Sequence, residues 1–134
     1  MRKLIPLLAG SLLLAGPAAA ERDRSPEAEL ARATQGRVAG EPVDCISLRN
    51  VRSSHVIPHT AIVYDAGSVV YVNHPANGAD SLNRWDTMVT HLTTDRLCSV
   101  DTVRMVDNQN HFLTGIVFLG EFVPYRRVQT GSAQ

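Results

Sequence analysis

From residue 45 onward the chain alternates apolar and polar positions with the two-residue period of half-buried strands. Ile46-Ser47-Leu48-Arg49-Asn50-Val51 is the first such run. Ala61-Ile62-Val63-Tyr64-Asp65 and Ser68-Val69-Val70-Tyr71-Val72-Asn73 follow, dense in the β-branched and aromatic side chains that fit a pleated surface. Ala66-Gly67 between them predicts a hairpin, because glycine takes positive φ without a Cβ penalty. Further strands are expected over 86–93, 102–106 and 111–119. In the last, Phe112, Thr114, Ile116 and Phe118 share one face and Leu113, Val117 and Leu119 the other, so both faces are expected to be covered. Gly115 predicts a bulge or sharp bend there. Pro124, which lacks an N–H, is expected to limit how far pairing continues.

Five to six short antiparallel strands separated by turns predict a mainly β fold, a small antiparallel barrel or sandwich. The first hairpin, the Met88/Leu92 region and the last strand are expected to supply its core. One β domain is assigned to 45–128, followed by a flexible tail over 129–134. Residues 21–44 read as an N-terminal arm or short helix. Ser25 suits a cap and Pro26 the first helical position, and Ala28 to Ala33 favour helix. Two glycines and a proline between Thr34 and Pro42 end it.

The N-terminus changes the picture of where this domain works. Met1-Arg2-Lys3 is basic, Leu4 to Gly16 is apolar, and Ala18-Ala19-Ala20 places small residues before the polar Glu21-Arg22-Asp23-Arg24. That is the layout of a secretory signal peptide over 1–20, with an apolar core too short for the roughly 20 residues of a membrane span. The expected location is therefore periplasmic or secreted, after cleavage near Ala20, with no stable membrane insertion. Thirteen basic and thirteen acidic residues balance the precursor, and no basic block suggests nucleic acid. Lys3 is the sole lysine, so downstream cations are arginines, histidine aside. Two cysteines in an oxidising compartment, Cys45 and Cys98, are most simply a disulfide; Cys-x-x-Cys redox spacing is absent.

Candidate chemistry is sparse. His55, His59, His74, His91 and His111 form no His-Glu-x-x-His pattern, there is no Gly-x-Ser-x-Gly elbow, and no acidic calcium loop. No catalytic residue, metal ligand or cofactor is assigned. The polar stretch from His74 to Trp85 is long for so small a domain and ends in the only tryptophan. Asn73, His74, Asp80, Trp85 and His91 are candidate residues of a ligand groove, with the indole as an apolar floor; the competing and favoured expectation is that Trp85 plugs one end of a small barrel and the loop is spacer.

Cys45-Ile46, Tyr71-x-Asn73, Leu97-Cys98-x-x-Asp101 and Leu119-Gly120-x-Phe122-x-Pro124 occur in an order that resembles a family of small secreted proteobacterial proteins classed as a domain of unknown function. The resemblance spans about Cys45 to Tyr125. That family commonly has two more cysteines, one after the Asn and one before the Leu-Gly, and neither is present here. Their joint absence implies that the retained Cys45 and Cys98 are partners. The resemblance implies no activity. The expected function is a non-catalytic binding or interaction module, its partner another envelope protein or a small ligand. The alternative is a small, metal-assisted periplasmic enzyme using His and Asp residues around 74–91.

Overall fold

The computed structural model describes residues 16–17 and 21–129. The expected signal peptide, save residues 16 and 17, and positions 130–134 of the expected tail lie outside the described residues. Helix α1 (Pro26–Ala33) opens as its sequence demands. The Ser25 hydroxyl accepts a hydrogen bond from the Ala28 N–H at 3.2 Å, proline occupies the first turn, and Glu27 and Glu29 favour the positive end of the helix dipole. No helix among the described residues is long and apolar enough to cross a membrane.

Among the described residues ten strands follow: β1 (Arg37–Ala39), β2 (Cys45–Ser47), β3 (Ser53–Ile57), β4 (Ala61–Asp65), β5 (Val69–Asn73), β6 (Asp86–Thr90), β7 (Arg96–Cys98), β8 (Thr102–Asp107), β9 (Leu113–Phe118) and β10 (Phe122–Arg127). They form three antiparallel sheets. The largest has the order β1-β10-β5-β4-β3, the second is β6-β8-β9, and the third is the pair β2-β7. The β4–β5 hairpin turns where expected, with Gly67 at φ 82° and its N–H donating to Asp65 Oδ1 at 2.7 Å.

The fold is therefore mainly β with one N-terminal helix, but it is not a barrel. A barrel needs its first and last strands to pair around a closed ring. Here the five-stranded sheet ends on β1 and β3, and the other sheets stand apart from it. Period-two alternation reports which face of a strand is buried and is the same for an open sheet and a closed one. Four strands were not anticipated: β1 and β7, only three residues each, β3, which opens on Ser53-Ser54-His55, and β10, which contains Pro124. Strand β10 tolerates its proline because the missing donor falls where its neighbour departs. The Pro124 carbonyl accepts from the Gly40 N–H at 2.7 Å, and the chain rejoins β10 only at Val43, which exchanges both backbone bonds with Phe122.

Two layers of core result. Ile62 and Tyr64 of β4 face Ile46, Leu97, Val103, Met105, Val117 and Phe122, which come from all three sheets. Tyr64 and Phe122 meet edge to face, with centroids 5.8 Å apart. Ala61 and Val63, on the opposite face of the same strand, pack with Val70 and Val72 beneath Leu30 and Ala33 of α1. The arm segment thus covers one side of the central sheet.

Strand β9 departs from expectation on one face. Val117 is buried, but Ile116 and Phe118 are 40% and 49% exposed, as is Phe112 just before the strand at 69%; among the described residues no layer covers that side of the three-stranded sheet. Its register steps from Met105↔Gly115 to Val106↔Leu113, so Thr114 is the extra residue of a bulge beside Gly115.

Candidate functional site

The five candidate groove residues do not share one environment. Asn73 is fully buried, and its side-chain amide is spent on the backbone of Gly120. His74 and His91 are exposed. Asp80 lies in a short 3-10 turn (Ala79–Ser81), where its backbone carbonyl accepts from His59 Nδ1 at 2.9 Å. Trp85 is 81% exposed and stands apart from these as the wall of a cleft. Among the described residues no three of His, Cys, Asp and Glu gather closely enough to hold a metal ion.

The setting of Trp85 is built from polar turn chemistry. Asn83 Oδ1 accepts from the N–H groups of both Trp85 and Asp86 at 2.9 Å, an Asx turn that fixes the backbone. Asn108 Nδ2, from the β8–β9 turn, donates to the Trp85 carbonyl at 2.6 Å. The backbone is thereby held from two sides while the indole projects outward.

Asp86 supports the same loop. Its Oδ2 accepts from Asn83 Nδ2 at 2.8 Å and from the Thr114 hydroxyl. Those two hydrogen bonds, Thr114 first, hold its carboxyl below the usual carboxylate range.

The cleft beside the indole has a volume of about 720 Å³ and lies between α1 with its lead-in, β3 and the Arg84-Trp85 loop. Four arginines border it: Arg22, Arg24, Arg32 and Arg84. Among the described residues Glu29 is the one carboxylate on its wall, and it is ion-paired with Arg84, tying the helix to the loop. His55 of β3 lines this cleft and a smaller one of about 330 Å³, where Ser54 and Val56 of β3 face Asp86 and Met88 of β6. Desolvation lowers the His55 pKa, with Asp65 opposing.

Cys45 and Cys98 are directly opposed on β2 and β7 and are joined by a disulfide. No family model, no curated protein and no solved structure gives a significant match to this chain. The site therefore has to be read from its own chemistry.

Sequence reasoning found Trp85 but not its neighbours. Arg22, Arg24, Arg32, His55 and Arg84 are spread over more than sixty positions and make no motif. The one available signal was compositional: with no lysine after Lys3, every cationic patch has to be arginine, histidine aside.

Proposed function

We propose that this chain is an exported, non-catalytic recognition module that takes its ligand in the cleft at Trp85. The observation behind this reading is the indole itself. A tryptophan that is 81% exposed, on a backbone pinned by Asn83 and Asn108, is held ready for contact at little further entropic cost. The four arginines of the wall against one paired carboxylate make the ligand anionic. The rigid β scaffold with chemistry on a loop is a common arrangement for recognition. Export is supported by the basic, apolar and small-residue order of the first twenty positions and by the disulfide, which suits an oxidising compartment.

Trp85 is the only tryptophan, so its fluorescence reads the site directly. Titration of the oxidised protein with a sulfated disaccharide should shift or quench the emission saturably, and Arg84→Gln should weaken the response. An emission indifferent to the disaccharide at millimolar concentration would overturn the reading. Expression with the native leader, followed by intact mass of the periplasmic fraction, should give a chain beginning at Glu21. Retention of the leader in the cytosolic fraction would remove the export half of the proposal.

A further inference from the structure

The arginines continue well beyond the Trp85 cleft. That cleft shares Arg32 and Ala33 with a neighbour of about 450 Å³ bordered by Arg37 and Arg127. The neighbour shares Arg127 with a cleft of about 590 Å³ bordered by Arg52 and Arg126. This in turn shares Arg52 and Ser68 with a cleft of about 410 Å³ that reaches Arg49. Nine arginines line this chain of clefts; Arg96 and Arg104 are the two after Lys3 that do not. Among the described residues only two carboxylates, Glu29 and Asp65, share the walls, and none borders the cleft between Arg52 and Arg127.

The chain as a whole is electrically balanced, so this is segregation of charge and not an excess of it. Some of it is held at a cost. Arg37 and Arg127 are direct cross-strand partners of β1 and β10, an arrangement in which like charges destabilise a sheet. Arg37 is anchored there by donating to the carbonyls of Gly67, Ser68 and Tyr125, bonds that leave its charge uncompensated. Arg49 at the far end is paired with Asp95 at 2.8 Å. Among the described residues, Arg22, Arg24, Arg52, Arg126 and Arg127 have no carboxylate partner.

We infer that this belt binds a linear anionic glycan, running from Trp85 past α1 and around the β4–β5 hairpin. The assignment rests on reading the Trp85 cleft as a ligand site and extends it to a polymer. The path decides against a membrane surface. One cleft touches Val70, which faces α1, and another touches Tyr71, which faces the opposite side of the sheet. A ligand touching both goes around the hairpin, which a plane does not do and a flexible chain does. The aromatic content decides against single-stranded nucleic acid, whose binding grooves stack successive bases on successive aromatic platforms. Among the described residues Trp85 is the one exposed aromatic on the belt. Guanidinium forks match carboxylate and sulfate groups with paired hydrogen bonds, and the indole offers an apolar face to a sugar ring.

The test uses the oxidised protein from Glu21 onward and a sulfated, carboxylated decasaccharide as probe, with affinity measured by calorimetry at low and moderate salt. Binding should be tighter than for the disaccharide and fall steeply with salt. The pair R126Q/R127Q should weaken it by at least about tenfold, and R96Q/R104Q, an equal change of charge off the belt, by less than about twofold. R22Q/R24Q, which lies outside any helix or strand, should also weaken it and guards against misfolding of the β10 variant. Equal losses from the two strand pairs would overturn the belt as a site. So would tighter binding of anionic phospholipid vesicles or of a single-stranded DNA oligonucleotide under the same conditions. If the disaccharide still moves the Trp85 emission but the decasaccharide is indifferent to Arg126 and Arg127, the belt fails and the recognition module stands. If Trp85 responds to neither probe, both fail together.

Discussion

Asn73 closes both hydrogen bonds of its side-chain amide on a single residue, Gly120: Nδ2 donates to the Gly120 carbonyl at 2.7 Å, and Oδ1 accepts from the Gly120 N–H at 3.0 Å. The amide stands in for a strand neighbour at the point where the chain enters β10. Asn73 is completely buried, so nothing replaces these bonds if it is lost. Asn73→Ala should cost roughly 2–4 kcal/mol, as two backbone groups lose their partner. Urea unfolding of the oxidised protein measures it, and a loss below about 0.5 kcal/mol would show that the clamp is dispensable.

Gly120 belongs to the same device. A Cβ there would run into the His74 carbonyl oxygen, which is backbone and has little room to move. Gly120→Ala is expected to destabilise by about 1–3 kcal/mol, and its combination with Asn73→Ala to be less than additive because the two act on one contact. Strict additivity in the double-mutant cycle would mean that the residues act separately.

The disulfide closes a separation of 53 residues. Replacing both cysteines by alanine should lower stability by about 4 kcal/mol in the chain-entropy model. The same shift should appear on adding reductant to the parent protein and should be absent in the double variant. A reductant effect persisting in that variant would point to another cause.

Asp86 sets an acid-side dependence. Its carboxyl is depressed in the folded state by Thr114 and Asn83, so its contribution is fully present above the ordinary value of 3.8 and is lost as pH falls through the folded value. Thr114→Val should move the Asp86 pKa upward and flatten stability between neutral and acid pH. NMR titration of the carboxyl decides; an unchanged pKa would remove the hydroxyl as a cause.

His55 acts in a higher window with the same sign. Desolvation by its packed neighbours lowers its folded pKa from 6.5 although the side chain is reached by solvent, so the unfolded chain takes up the proton first. Stability should therefore begin to decline as pH drops through about 6.5 and level off below the folded value. His55→Gln should abolish that part of the profile, and Asp65→Asn should lower the His55 pKa further by removing the opposing charge. A profile over this window that is identical in His55→Gln and the parent would assign it to another histidine.

Local signals were legible where one residue type decides one geometry. Ser25-Pro26 gave the helix start, Ala66-Gly67 the hairpin, and the two lone cysteines their bridge. Strand β10 was hidden by Pro124, whose tolerance depends on the departure of the chain between Gly40 and Val43, a partner far away in sequence. The open face of β9 was hidden because Ile116 and Phe118 look like core residues until it is known that no layer among the described residues covers them. The arginine belt was hidden for a similar reason. Arg37 and Arg127 become neighbours only through the strand order β1-β10, and composition alone shows a balanced chain. Trp85 was visible as a lone tryptophan, whereas the amide pins from Asn83 and Asn108 that present it were not.

The place of the bridge between β2 and β7 bears on how the chain withstands proteolysis. Everything from Ile46 to Leu97, including the polar stretch that leads to Trp85, lies inside the covalent ring it closes. A single cut in that stretch yields two pieces that remain one molecule, running as one band on a non-reducing gel and as two after reduction. Because β5 and β6 on either side of the nick keep their own sheet partners, the clipped protein retains the pairings that carry its arginines. A cut in that stretch is thereby separated from loss of covalent continuity.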